Sequence, residues 1–275
     1  MFVIIARAWH DWVGVDITSW KFSLMMQQQQ VTLVATQLSR FYHKYCAVNN
    51  LNLCLERGQV LGLLGANGAG KSTTLQMLSG NLAPTTGSIQ INGIDLLDQP
   101  RLAKHQLGYL PEQPALYKDL TINEQLIYAA RLQELTKQEA NEAVAYARQR
   151  CHLDEMQDRL IGNLSKGFRQ RVGIAQAILH SPTLIILDEP TVGLDPIQVN
   201  DLRKLIRELG ESHSVILSTH ILSEVKAVCD RVHILDCGET VFSGDISGET
   251  VQSLEKQFFD LVGPEAQLAD QDVAV

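Results

Sequence analysis

"GANGAGKST", Gly65–Thr73, directly follows the apolar run "VLGLL" at 60–64. A chain that has just built a buried strand breaks it with three glycines, then sets a lysine beside two hydroxyls. Glycine suits a backbone that must turn through unusual dihedrals or let a ligand approach closely. The stretch fits G-x-x-x-x-G-K-[ST], with Gly65, Gly70, Lys71 and Ser72 at the fixed places. In such a loop successive N–H groups form an anion nest, the lysine reaches the β/γ-phosphates of a nucleotide, and the serine hydroxyl meets Mg²⁺. A helix beginning near Lys71 adds the positive end of its dipole. Gly65, Ala66, Asn67, Gly68, Ala69, Gly70, Lys71, Ser72 and Thr73 are therefore the candidate nucleotide-binding loop. A flexible glycine-rich turn would leave the Lys-Ser pair and the preceding strand unexplained. Kinases, GTPases and many ATPases share this loop, so it fixes the ligand and leaves the reaction open.

Working outward, "TLIILDEP" (Thr183–Pro190) ends an apolar run in Asp188 and Glu189. Ligands of open parallel sheets sit outside the carboxyl ends of the strands. Two carboxylates there can divide the labour: Asp188 to hold Mg²⁺, Glu189 to polarise the water that attacks the γ-phosphate. "LSKGFRQR" (Leu164–Arg171) brings Ser165 and Gly167 to a helix start, a second phosphate-seeking N-terminus or a plain N-cap. "DEPTVGLDP" adds Asp195, and "LSTHILSE" puts His220 at the tip of the next strand, placed to touch the γ-phosphate.

Around these motifs the chain reads as an α/β protein. Residues 31–55 alternate as strands on either side of "RFYHKYCAVNN", a short turn-rich link, and "TTGSIQINGIDL" is a hairpin turning at Asn92-Gly93. "TINE" (121–124) and "TKQE" (136–139) are capping boxes that open helices. From Pro182 the pattern becomes short apolar strands followed by helices, as expected of a parallel sheet covered on both faces. "RVHILDCGETVFSGD" (231–245) closes with a further hairpin. An α/β core is thus split by an all-helical insertion near 115–165. The 275 residues suit one large domain or two small ones, and the net charge of −8 argues against broad nucleic-acid binding. The five cysteines show no metal spacing and read as thiols of a reducing compartment. No apolar run approaches the roughly 18 residues that span a bilayer.

Together, the loop, "LIILDE", "LSKGF", "GLDP" and His220 resemble the nucleotide-binding subunit of an ABC transporter, over Val31 to about Asp245. The resemblance implies a P-loop NTPase fold with a RecA-like core, an antiparallel β-subdomain and an inserted helical subdomain. It implies ATP and Mg²⁺, with Glu189 and His220 catalytic and with Ser72, Asp188 and Glu112 toward the metal. Tyr42 matches the aromatic that stacks on adenine. Ser165, Gly167 and Asp195 match the groups that meet a nucleotide across a head-to-tail dimer. The partners implied are a second ATPase subunit and an integral membrane permease, with no nucleic acid, at the cytoplasmic face of the inner membrane.

Two departures stand out. Lys166 and Phe168 replace the glycine and glutamine of the family's LSGGQ signature, and the Q-loop position falls on Glu112, with Gln113 one step later. "GYLPEQPALYKDLT" and "LSTHILSEVKAVCDRV" resemble the ABC-2 exporter branch. The alternative, a soluble ABC ATPase of DNA repair or translation, would need a long coiled coil, a zinc module or a second cassette. Residues 1–26, which hold all three tryptophans, fall outside the resemblance, and Met25 or Met26 is the expected start. Residues 246–275 read as a short tail whose "SLEKQFFDL" resembles the branch's C-terminal helix.

Overall fold

The computed structural model describes residues 31–246. The expected start at Met25 or Met26 and the tail helix lie outside the described residues. Strand β1 (Val31–Tyr42) pairs antiparallel with β2 (Tyr45–Glu56) and with β4 (Thr86–Ile91), and β5 (Ile94–Asp95) completes a four-stranded sheet in the order β2-β1-β4-β5. The expected turn-rich link at 40–50 is corrected here. The strands continue to Tyr42 and resume at Tyr45, leaving His43-Lys44 as the turn, with His43 at φ 56°. Register shifts between Ala35 and Leu38 and again around Arg40 erase the two-residue alternation that would have announced the strand. The other hairpin turns at Asn92-Gly93, both at positive φ (49° and 75°), as a two-residue turn of the type I′ class requires.

The second sheet has six strands in the order β10-β9-β3-β8-β7-β6. Strands β3 (Val60–Leu64), β7 (Leu184–Leu187) and β8 (Ser214–Thr219) are parallel and buried at every residue. Strand β9 (Arg231–Asp236) joins β3 in parallel and turns into β10 (Glu239–Asp245) along the edge. At the other edge, β6 (Leu107–Leu110) is a strand that sequence patterning did not mark. Gly108 lets the helix that carries Ala177 lie against it, since a Cβ there would stand 2.3 Å from the Ala177 carbonyl oxygen.

Seven helices are described: α1 (Lys71–Leu78), α2 (Pro100–Lys104), α3 (Ile122–Leu132), α4 (Lys137–Arg150), α5 (Lys166–Ile178), α6 (Pro196–Gly210) and α7 (Leu222–Val228). Between Pro114 and Ser165 the chain forms α3, α4 and two short 3₁₀ turns. The parallel strands divide their side chains between two cores. Leu61, Leu63, Ile186 and Ile216 join α1 and the antiparallel sheet through Leu75, Leu38 and Ile89. Val60, Leu64, Ile185 and Leu217 join the other helices through Ile174, Leu205 and Val225. Covering both faces is what permits uninterrupted apolar strands, and it leaves the carboxyl ends of β3, β7 and β8 as the place where polar groups gather.

Candidate active site

At the end of β3 the backbone turns through Gly65–Gly70 into α1. Gly70 is the N-cap at φ 101° and has no side chain to bond the first amides, and the first turn carries no acidic residue. The orphan N–H groups of this helix start are therefore left to a ligand. Glycine is required at Gly70, because a Cβ would stand 2.7 Å from the Ala47 carbonyl oxygen. Lys71 is 5% exposed, and its Nζ donates to the Gly65 and Ala66 carbonyls at 2.9 and 3.1 Å. A cavity of about 460 Å³ opens in front of the loop. It is lined by Asn67, Gly68 and Gly70–Thr73 of the loop, by Glu112, Glu189 and His220, and by Tyr42 and Tyr45. Gly65 and Ala66 act from behind, through the carbonyls that hold Lys71, and Ala69 is buried.

Asp188 and Glu189 follow β7. Ser218, fully buried on β8, ties the two together: its Oγ accepts the Glu189 N–H at 2.8 Å and donates to Asp188 Oδ1 at 2.7 Å. The Ser72 hydroxyl stands 3.5 Å from the same Asp188 oxygen. Glu189 adopts φ 46°, a left-handed turn unusual for a non-glycine residue, and its carboxylate lies between the Lys71 ammonium and the His220 ring. Oε1 lies 3.2 Å from Lys71 Nζ, and Oε2 lies 3.0 Å from His220 Nδ1. The neighbouring carboxyls are shifted in opposite directions. Burial, joined by the charges of Glu189 and Glu112, pushes Asp188 above the usual carboxylate range against the Ser218 bond and Lys71. Burial also acts upward on Glu189, but the His220 bond and the charges of Lys71 and His220 outweigh it and hold it low. His220 is raised, chiefly by its bond to Glu189. The result is an ionised carboxylate braced on both oxygens, beside a loop of free amides.

The fold brings Tyr42, the loop, Glu112, Glu189 and His220 to one cavity, with Asp188 behind Ser72. Gln113 does not line it. Ser165, Gly167 and Asp195 also lie elsewhere. Ser165 caps α5 by accepting the Phe168 N–H at 3.4 Å, and Asp195 caps α6 by accepting the Gln198 N–H at 2.9 Å. Gly167 lies against Gln198, where a Cβ would meet Oε1 at 2.3 Å, and the Lys166 ammonium rests beside Gly193. Sequence reasoning missed Ser218 and Tyr45. The first was signalled by a hydroxyl two places before His220 in an apolar strand, since a buried polar group needs a partner.

The ABC transporter family profile matches residues 48–192. The ABC transporter ATP-binding protein YxlF of Bacillus subtilis is 39% identical over 224 residues, covering 82% of this chain and 74% of its own length. The bacitracin transport ATP-binding protein BcrA of Bacillus licheniformis is 36% identical over 242 residues, covering 87% and 76%. A solved ATP-binding subunit of an ABC transporter superposes with a TM-score of 0.71 at 33% identity, over 86% of this chain and 98% of that one. With the nucleotide loop, the braced carboxylate and these relatives in agreement, the chain belongs to the ABC transporter family as an ATP-binding, ATP-hydrolysing subunit.

Proposed function

We propose that this chain is the peripheral motor of an exporter, working as an ATP-sandwiched homodimer at the cytoplasmic face of a membrane beside a separate permease. The observation that carries the catalytic part is the Lys71–Glu189–His220 chain of contacts at the open start of α1. The loop amides and Lys71 would hold the β- and γ-phosphates. Phosphate oxygens compete for the Lys71 ammonium, which frees Glu189 Oε1 to take the proton of the attacking water. His220 keeps the other oxygen, Oε2, and so fixes the carboxylate's orientation. Ser72 and Asp188 offer hard oxygen donors suited to Mg²⁺, and no cluster of three or more metal-binding side chains occurs among the described residues. That donor set fits an ion that completes its shell from phosphate and water. Bound there, Mg²⁺ would neutralise charge on the phosphates. Glu112 is the Q-loop candidate of this reading, since it lines the same cavity as the loop.

The dimer is supported by the residues the cavity leaves out. Ser165, Gly167 and Asp195 stand at helix starts away from the chain's own loop, where a second copy's nucleotide could meet them. Export is supported by the exporter-like "GYLPEQPALYKDLT", and transport by the likeness to the bacitracin transport protein. The permease would dock along Pro114–Thr121, where Pro114, Ala115 and Leu116 border a groove and Tyr117 is exposed.

Glu189→Gln tests the motor. It keeps the shape and cannot accept a proton, so hydrolysis should fall by about 10²–10⁴-fold while Mg-ATP still binds. Light scattering on a sizing column should then show an ATP-dependent dimer. Hydrolysis at the parent rate would end the assignment of Glu189.

A further inference from the structure

The tip of the β1–β2 hairpin carries two aromatic rings at the cavity, and only Tyr42 was expected there. Tyr42 and Tyr45 are direct cross-strand partners, so their side chains leave the same face of the sheet side by side. Both line the cavity in front of the nucleotide loop. Their distance from the phosphate end is fixed by the same strand, because Ala47, two residues beyond Tyr45, also lines the cavity and lies against Gly70. Tyr42 is already half used. The Arg40 guanidinium covers one face of its ring, 4.8 Å from the centroid, and is itself anchored by a bond to the Ala83 carbonyl at 3.0 Å. Tyr42 lines the cavity and Arg40 does not. Tyr45 is 61% exposed, more than any other aromatic among the described residues, and no hydrogen bond or ring contact engages its side chain. A lone surface aromatic needs no explanation. One that stands idle beside the expected base platform, on the wall of the same cavity, does.

We propose that Tyr45 is a second base-contacting residue, and that the purine of the nucleotide is held by the pair of hairpin-tip rings. The assignment rests on the reading of the cavity as the ATP site. Arg40 stiffens Tyr42, and Tyr45 supplies the further aromatic area that Tyr42, with one face occupied, cannot. The pair binds the base and makes no contact with phosphate, so its contribution is confined to ligands that carry a base.

The experiment measures equilibrium binding of ATP and of inorganic tripolyphosphate to the full chain and to Tyr45→Ala, Tyr45→Phe, Tyr42→Ala and Lys71→Ala. Stacking of a base on an aromatic side chain is worth a loss of between about fivefold and a hundredfold on truncation to alanine. Tyr45→Ala should weaken ATP within that range and leave tripolyphosphate unchanged, while Tyr45→Phe keeps the parent affinity for both. An ATP affinity unchanged in Tyr45→Ala overturns the proposal, as does an equal loss of both ligands, which would mean that the loop had moved. A Tyr45→Phe protein as weak as Tyr45→Ala overturns it too, because the ring would not be the contact. Lys71→Ala separates the two readings. If it loses both ligands while Tyr45→Ala loses neither, the phosphate site stands and the base assignment falls.

Discussion

Helix α3 begins by satisfying itself: Thr121 Oγ1 takes the Glu124 N–H at 3.2 Å, and Glu124 Oε2 returns to the Thr121 N–H at 2.8 Å. Helix α4 repeats the arrangement with Thr136 and Glu139. Helix α1 does neither. Its N-cap is a glycine, its first turn has no carboxylate, and its amides face a cavity. The free amides cost α1 the stabilisation that a cap supplies, typically about 1 kcal/mol, and leave it a site for anions. The contrast separates helix starts that serve the fold from one that serves a ligand. The start of α5 stands between them, with Ser165 capping Phe168 through a long 3.4 Å bond in an exposed turn.

The comparison breaks most sharply at Gly70. Gly70→Ala adds a Cβ 2.7 Å from the Ala47 carbonyl, on a backbone at φ 101° that side chains rarely adopt. Strain of this kind reaches about 3 kcal/mol, so ATP affinity should fall by about a hundredfold when the loop relaxes away from its binding shape. Titration with ATP checks this, and parent affinity would show that the open start tolerates a side chain. The carboxylate pair is tested by Ser218→Ala, which removes the hydroxyl shared by Glu189 and Asp188. Loss of a group that orients a metal ligand costs about 10–100-fold in activity. Steady-state ATPase assays should show that loss in kcat, with ATP binding retained.

Smaller effects sharpen the other side. Thr121→Ala should cost about 1 kcal/mol in urea unfolding and leave ATP affinity unchanged. A coincident loss of affinity would mean that the capped helices communicate with the cavity. Acid should undo the boxes and spare α1. The bonds from Thr121 hold Glu124 below the ordinary glutamate value of 4.5, and those from Thr136 do the same for Glu139. A carboxyl lowered by folding contributes stability above its unfolded pKa and loses it as the pH falls through the folded one. The difference in Tm between parent and Glu124→Gln should therefore be present near pH 6 and close below pH 4.5. A difference that persisted into acid would assign the cap to the threonine alone.

The same contrast explains what the sequence disclosed. The nucleotide loop, both capping boxes and the Asn92-Gly93 turn were legible because each is set by local chemistry over a few residues. The apolar runs of β3, β7 and β8 were legible because burial on both faces leaves no polar position. Strand β6 was not, since four residues at a sheet edge carry too little pattern. The strand ends at Tyr42 and Tyr45 were hidden by shifts of register that break alternation. Ser218 and Tyr45 owe their places to pairings across 30 residues in one case and across a turn in the other. Neighbouring residues in the chain do not announce such pairings. Glu112 and Gln113 are adjacent in the sequence, and only the folded backbone separates the one that lines the cavity from the one that does not.

The Ala47 carbonyl lies against a second glycine as well as Gly70. A Cβ on Gly238, in the β9–β10 turn, would stand 2.7 Å from it, and the Gly238 N–H donates to the Ala69 carbonyl at 3.0 Å. The Cys237-Gly238 turn is exposed at Cys237 and short, the kind of surface position usually chosen for inserting a tag or a label. Here it is a buttress of the nucleotide loop, although some 160 residues follow that loop before the turn is reached. Grafting a peptide into this hairpin would disturb ATP binding through the turn of the neighbouring strand, and engineering of the chain has to treat the turn as part of the engine.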